Sequence, residues 1–290
     1  MLFPDRGEIK ELNEVTRNGA DGSFIKLSNG VTHYELDGPQ NGQPVVLVHG
    51  FSVPYFIFDP TFEALTEAGL RVLRYDLFGR GWSDRPRAKY NINLFVKQLE
   101  DLLEALQFQH VNLIGLSMGG PIAASFTARH PERIDKLVLI DPAGARPIAL
   151  SVLLKAAKLP LVGELALGLF GSENMVKSSA ADFFDPALIA EFQSKYKVQM
   201  QFKGFKHAIL STMRSGMLDS FIEIYRCIGE LNQPTLLIWG RNDKTVPFAH
   251  SRDICEAIPQ ADLRVIEEGG HIPHYEKPDI VNTILLQFLT

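Results

Sequence analysis

Cysteine is almost missing from this chain. Cys227 and Cys255 are the only two in 290 residues, far apart and in neither a CxxC nor a metal-ligand spacing. The expectation is two ordinary thiols in a reducing compartment, with no disulfide framework. Basic runs are missing too. Twenty-nine Lys and Arg against 34 Asp and Glu leave a net charge of -5, and no cluster of cations is available to grip phosphates, so nucleic acid is excluded as a partner. No long uninterrupted apolar run exists. The longest candidate, 148–170, is broken by Lys155, Lys158, Pro160 and Glu164, whereas a membrane span needs about 20 nearly uninterrupted apolar residues. The first stretch, MLFPDRGEIKELNE, is charged from Asp5 onward and has no apolar core, so it does not read as a secretory signal. A soluble cytoplasmic protein is expected. Internal repeats and low-complexity segments are absent. DLFGRGWSD, from Asp76 to Asp84, is rich in glycine but has neither GK[ST] nor the GxGxxG spacing. It reads as a structural turn, with Trp82 at a pocket edge, rather than a phosphate cradle.

What is present is a rhythm of buried strands and amphipathic helices. Two β-like runs, 23–27 and 31–36, flank Ser28-Asn29-Gly30, a hairpin signal. PVVLVHG then ends at His49-Gly50 as a wholly apolar run, the pattern of a strand covered on both faces. Helix 58–68, strand 70–75, helix 93–106, strand 111–115, helix 118–129 and strand 136–140 follow. Helix 93–106 carries Leu94, Leu99, Leu102, Leu103 and Leu106 on one side. From 144 to 229 only helical patterns occur. Strand 234–239, helix 249–257, strand 262–266 and helix 278–289 then resume the rhythm. This predicts an α/β fold: a mostly parallel doubly wound sheet, an N-terminal antiparallel hairpin and an inserted helical cap. The core is expected over 1–143 and 230–290, the cap over 144–229. Ligands in such sheets bind beyond the C-terminal strand ends, which places the cap over the site.

The stretch HVNLIGLSMGGP runs from a strand into a helix with Ser117 at the join. Gly115-Leu116-Ser117-Met118-Gly119 fits G-x-S-x-G, in which a sharp turn exposes the hydroxyl and small neighbours avoid clashes. A serine needs a base. His271, in EGGHIP, lies after a strand, on a loop made pliable by two glycines. His274 is the nearby decoy, and His49 is expected to brace its own loop. The base needs a carboxylate to fix its tautomer. Asp243, in WGRNDKTVP, gives the chain order Ser, Asp, His, and Asp141, after another strand, is the rival. The oxyanion needs backbone donors. Met118 N–H, after the nucleophile, is one. Phe51 N–H, after PVVLVHG, is the other, with Ser52 as a helper. The loop reads HGFS and lacks an HGGG run.

HGF, DLFGRGWSD, GLSMGG, GRNDKTVP and GGHIPHYEKP occur in the order and spacing of the α/β-hydrolase fold superfamily, which the chain resembles over nearly its whole length. The resemblance implies Ser117, Asp243 and His271 as a catalytic triad, Phe51 and Met118 as oxyanion donors, and the insertion as the family's cap. A serine at the elbow sets the chain apart from the haloalkane dehalogenase and epoxide hydrolase branches, which use aspartate there. No metal or organic cofactor is implied. Within the serine branch the chain looks like a carboxylesterase or monoacylglycerol-lipase-like enzyme. Its substrate is then a small-molecule ester with an apolar acyl group. The apolar residues Ile148, Leu150, Val152, Leu153, Leu154, Leu159, Leu161, Val162, Leu165, Leu167 and Leu169, with Phe183, Phe184, Met200, Phe202 and Phe205, offer a surface for an acyl tail and for weak contact with a lipid surface. The alternative is a carbon–carbon hydrolase of meta-cleavage products. That group carries a glycine-rich loop after HG and a tryptophan after the histidine, where this chain has HGFSVP and Ile272.

Overall fold

A computed structural model describes residues 7–148 and 158–290. Eight strands form one sheet in the order β1-β2-β4-β3-β5-β6-β7-β8. They are β1 Ser23–Leu27, β2 Gly30–Asp37, β3 Pro44–Val48, β4 Arg71–Tyr75, β5 Val111–Leu116, β6 Ile134–Ile140, β7 Thr235–Gly240 and β8 Asp262–Ile266. The pairs β1–β2 and β2–β4 run antiparallel, and the remaining neighbours run parallel. Every residue of β5 and β7 is buried, as apolar strands covered by helices on both faces should be. Alternate side chains serve opposite faces. Val46, Val48, Leu113, Leu139 and Trp239 join one apolar cluster, while Val45, Leu47, Ile114, Ile140 and Ile238 join the other. The hairpin loop is Ser28-Asn29, and Gly30 already pairs with Leu27.

The helices are α1 Glu14–Arg17, α2 Asp59–Glu67, α3 Ile92–Ala105, α4 Gly119–Arg129, α5 Val162–Ser178, α6 Ile189–Gln199, α7 Phe205–Arg214, α8 Ile222–Glu230, α9 Ser251–Ala257, α10 Pro273–Glu276 and α11 Pro278–Leu289. Asn91 caps α3 by accepting the Leu94 N–H at 3.1 Å, and the helix buries Leu94, Leu99, Leu102 and Leu103. The single turn α1, closed by a reciprocal Asn13–Thr16 cap, has too few residues for an apolar period to show in the sequence. Among the described residues no strand lies between β6 and β7. There α5 packs on α6 and α7, whereas α8 packs on α4 and α9 of the sheet layer. Tyr225 of α8 is fully buried and donates to the Ala143 carbonyl at 2.6 Å. The N-terminal segment is tied to the helical insertion: Glu8 accepts the Gly204 and Lys206 N–H groups at 2.8 and 2.6 Å. No helix among the described residues is long and apolar enough to cross a membrane.

The chain turns back on itself at β3, with β4 on one side and β5 on the other. An open α/β sheet leaves a crevice at such a switch point, beyond the C-terminal strand ends. Both β3 and β5 end there, with Val48 beside Gly115.

Candidate active site

Ser117 stands where β5 stops. Its φ of +52° is left-handed, a conformation non-glycine residues adopt only when their surroundings enforce it. The enforcement is visible. Its N–H donates to the Ile140 carbonyl at 2.9 Å, and its carbonyl accepts the Gly120 and Ala143 N–H groups at 2.9 and 3.0 Å. A Cβ at 115 would lie 2.4 Å from the Gly119 oxygen, and one at 119 would lie 2.1 Å from the Val48 oxygen. Both glycines of the pentapeptide are therefore steric requirements.

The far half of the chain meets this serine. His271 Nε2 lies 2.9 Å from Ser117 Oγ, and His271 Nδ1 lies 2.7 Å from Asp243 Oδ2. Asp243 Oδ1 accepts the Thr245 and Val246 N–H groups at 2.7 and 2.9 Å. With three donors on Asp243, the imidazole proton belongs on Nδ1, which leaves Nε2 free to accept from the serine. The His271 N–H donates to the Asp182 carbonyl at 2.7 Å, so the insertion touches the histidine loop. Burial alone would lower the His271 pKa. The Asp243 charge, its hydrogen bond and the Asp182 charge outweigh burial and hold the imidazole above its ordinary value. His274 is a buried ring packed on Phe58, and burial lowers it to about 3.

The loop after β3 crosses the serine closely: a Cβ at Gly50 would lie 3.2 Å from Ser117 Cβ. Phe51 and Met118 both line the cavity at Ser117, and neither backbone N–H donates a hydrogen bond among the described residues. Two donors are thus left for an oxygen between them. His49 braces this loop, donating from Nδ1 to the Gly50 carbonyl at 2.9 Å and accepting the Leu77 N–H at 2.9 Å. Burial takes it down to about 4, a neutral ring. Ser52 also lines the cavity; its hydroxyl accepts from Tyr196 at 2.8 Å and its carbonyl from Gln199 at 2.6 Å. Arg80, from the DLFGRGWSD turn, is a residue that sequence reasoning missed. Fully buried, it donates to the carbonyls of Phe51 at 2.8 Å and Phe78 at 3.2 Å and to Thr212 Oγ1 at 3.0 Å. Burial pulls its pKa down to about 10. It forms no ion pair among the described residues, and no sequence signal tells a buried guanidinium from an exposed one.

The sequence model of the alpha/beta hydrolase fold matches residues 43–165 and 195–278. The chain belongs to that family. It is 29% identical to a 2-hydroxy-6-oxononadienedioate/2-hydroxy-6-oxononatrienedioate hydrolase of Pseudomonas putida, over 92% of this chain and 96% of that protein. A solved meta-cleavage product hydrolase from Pseudomonas fluorescens IP01 superposes with a TM-score of 0.74 at 27% identity, covering 92% of this chain and 97% of that one. An esterase from Exiguobacterium antarcticum gives 0.76 at 23% identity over 92% and 98%, a likeness of fold alone.

A cavity of about 710 Å³ opens onto Ser117. Its apolar wall is the expected one only in part. Leu167 and Ile148 face it, joined by Met175, Ile209, Met213, Met217 and Leu218. Phe183, Phe184, Met200, Phe202 and Phe205 do not. Phe183 packs against Phe192, Phe202 packs against Trp82, Met200 and Phe205 are in the core, and Phe184 is exposed. A helix aims only one side at the serine, and the sequence cannot say which. Leu150, Val152, Leu153 and Leu154 lie outside the described residues. Trp82 edges a second, polar depression of about 470 Å³ between the hairpin and α6. Among the described residues, the one group of His, Cys, Asp or Glu side chains close enough to share an ion is Asp141, Asp243 and His271. Two of these are already hydrogen-bonded to each other.

Proposed function

We propose that this chain is a serine hydrolase that cleaves uncharged carboxylic esters with apolar acyl groups through an acyl-enzyme. The observation that carries the reading is the cavity. It is walled by aliphatic and thioether side chains, its described lining holds no lysine or arginine, and the acid and base that reach it are Asp182 and His271. In this reading Ser117 Oγ attacks the ester carbonyl while His271 Nε2 takes its proton. The Phe51 and Met118 N–H groups hold the oxyanion. His271 then protonates the departing alcohol, and water deprotonated by the same imidazole hydrolyses the acyl-enzyme. The exposed Leu159, Leu161, Val162 and Leu165, at the start of α5, support weak contact with a lipid surface.

A second reading, carbon–carbon bond hydrolysis of meta-cleavage products, is favoured by the Pseudomonas relatives. A dienedioate carries two carboxylates, which call for cationic partners in a buried site. The described lining holds no lysine or arginine, and its one histidine is engaged by Asp243 and Ser117; this ranks the ester reading first. Turnover of p-nitrophenyl esters of two to sixteen carbons, measured beside a meta-cleavage dienol with wild type and Ser117→Ala, separates the two. Ester turnover lost in the variant, with the dienol untouched, supports the esterase. Fast dienol cleavage with feeble ester turnover overturns it.

A further inference from the structure

Behind Asp243 stands a second carboxyl group that acyl transfer does not use. Asp141 follows β6 and is fully buried. Its φ is +42°. Its N–H donates to the Ile238 carbonyl at 2.9 Å, and its Oδ1 accepts the Gly240 N–H at 2.9 Å. Its Oδ2 is buried without a donor, a condition native interiors rarely tolerate. What lies beside it is Asp243. One carboxylate oxygen from each acid and one His271 nitrogen all fall within 4.8 Å of one another.

Two buried carboxylates in contact do not both ionise. The hydrogen bonds decide which one does. Asp243 receives three donors, from Thr245, Val246 and His271, whereas Asp141 receives one. The negative charge therefore belongs on Asp243. A proton on Asp141 Oδ2 removes the repulsion and fills the vacant hydrogen bond in a single step. We propose that Asp141 is a positioning residue: a neutral carboxylic acid whose Oδ2–H is donated to the Asp243 carboxylate and holds it facing His271. The site is then a line of four groups, Ser117, His271, Asp243 and Asp141. Burial first, and the Asp243 charge second, push the Asp141 carboxyl well above the usual carboxylate range. Asp243 and Glu276 are the titratable groups facing Asp141, and Asp243, Asp182 and His274 are those facing His271. Asp141 and Asp243 form no ion pair with a lysine or arginine among the described residues, so no cation is there to replace the proton.

This role rests on the hydrolase reading, yet it can be tested without a substrate. Infrared difference spectra of wild type minus Asp141→Asn at pH 7 should show a protonated-carboxyl C=O band. Its absence overturns the proposal even if no ester is turned over. The rate at which a fluorophosphonate labels Ser117, followed against pH, reports His271 independently of substrate. Asp141→Leu should slow labelling about tenfold or more, because the donor to a charged group is gone, and should raise the pH of the acid limb, because the unshared Asp243 charge favours the His271 imidazolium more strongly. Asp141→Asn, whose amide can donate to Asp243 in place of the acid proton, should recover most of that loss with its acid limb near the wild-type position. An acid limb in Asp141→Asn lower by a unit or more means that a charge was removed, and refutes a neutral Asp141. Asp141→Leu labelling at the wild-type rate refutes the positioning role.

Discussion

Replacing Asp243 with asparagine changes one atom and should nearly silence the enzyme. The Thr245 and Val246 N–H groups, at 2.7 and 2.9 Å from Oδ1, require an acceptor there, so the amide oxygen takes that position. The NH₂ then replaces Oδ2 and points at His271 Nδ1, which now lies 2.7 Å from a carboxylate oxygen. Two donors cannot share that contact, so the imidazole proton moves to Nε2. That nitrogen faces Ser117 Oγ at 2.9 Å and can no longer accept its proton. The wrong tautomer costs about 10⁴-fold in kcat where the same substitution has been made in a Ser-His-Asp site, or about 5 kcal/mol of barrier. The assay is kcat on a p-nitrophenyl ester across pH, with the thermal melt as a control for folding. An Asp243→Asn enzyme within tenfold of wild type, with Asp141→Asn silenced instead, would refute the reasoning and make Asp141 the acid.

Ser117→Ala should lower kcat by roughly 10⁴–10⁶-fold while the fold persists, and labelling by a fluorophosphonate should vanish. Activity needs a neutral His271. The raised pKa therefore places the acid limb of kcat/KM above the ordinary imidazole value, with activity lost as pH falls through it. Asp182→Asn removes one of the charges that raise His271, so the limb should move to lower pH; an unmoved or rising limb contradicts that electrostatic account. Arg80→Met leaves the Phe51 carbonyl without its donor at 2.8 Å. It should reduce kcat by about 10- to 100-fold through a loosened oxyanion loop, with KM changed little. Met213→Phe narrows the cavity and should shift the preferred acyl chain shorter in a p-nitrophenyl ester series.

The strand-to-helix turn could be read from the sequence because its requirements are local. A buried apolar run, a serine and two glycines at fixed spacing leave few other conformations, and the backbone contacts at 115 and 119 show why. Asp243 and His271 could be named for a similar reason: each sits just past an apolar strand, and strand ends of a parallel sheet converge on one edge. Arg80 could not be named, since it is singled out by its burial and by its hydrogen bond to the Phe51 carbonyl, 29 residues away along the chain. Nor could the cavity wall be read, because the helices between β6 and β7 offer apolar residues on several sides and packing chooses between them.

By itself the sequence determined which side chains can carry the chemistry, because strand, turn and helix patterns arise from the short-range sterics of neighbouring residues. Tertiary structure decided how those side chains combine. It brought Asp141 against Asp243 through the pairing of β6 with β7, placed a buried guanidinium against the Phe51 carbonyl, and gave Leu167 and Met213 to the cavity while Phe202 went to Trp82. Those outcomes depend on distances between parts of the chain far apart in sequence, and only folding sets them.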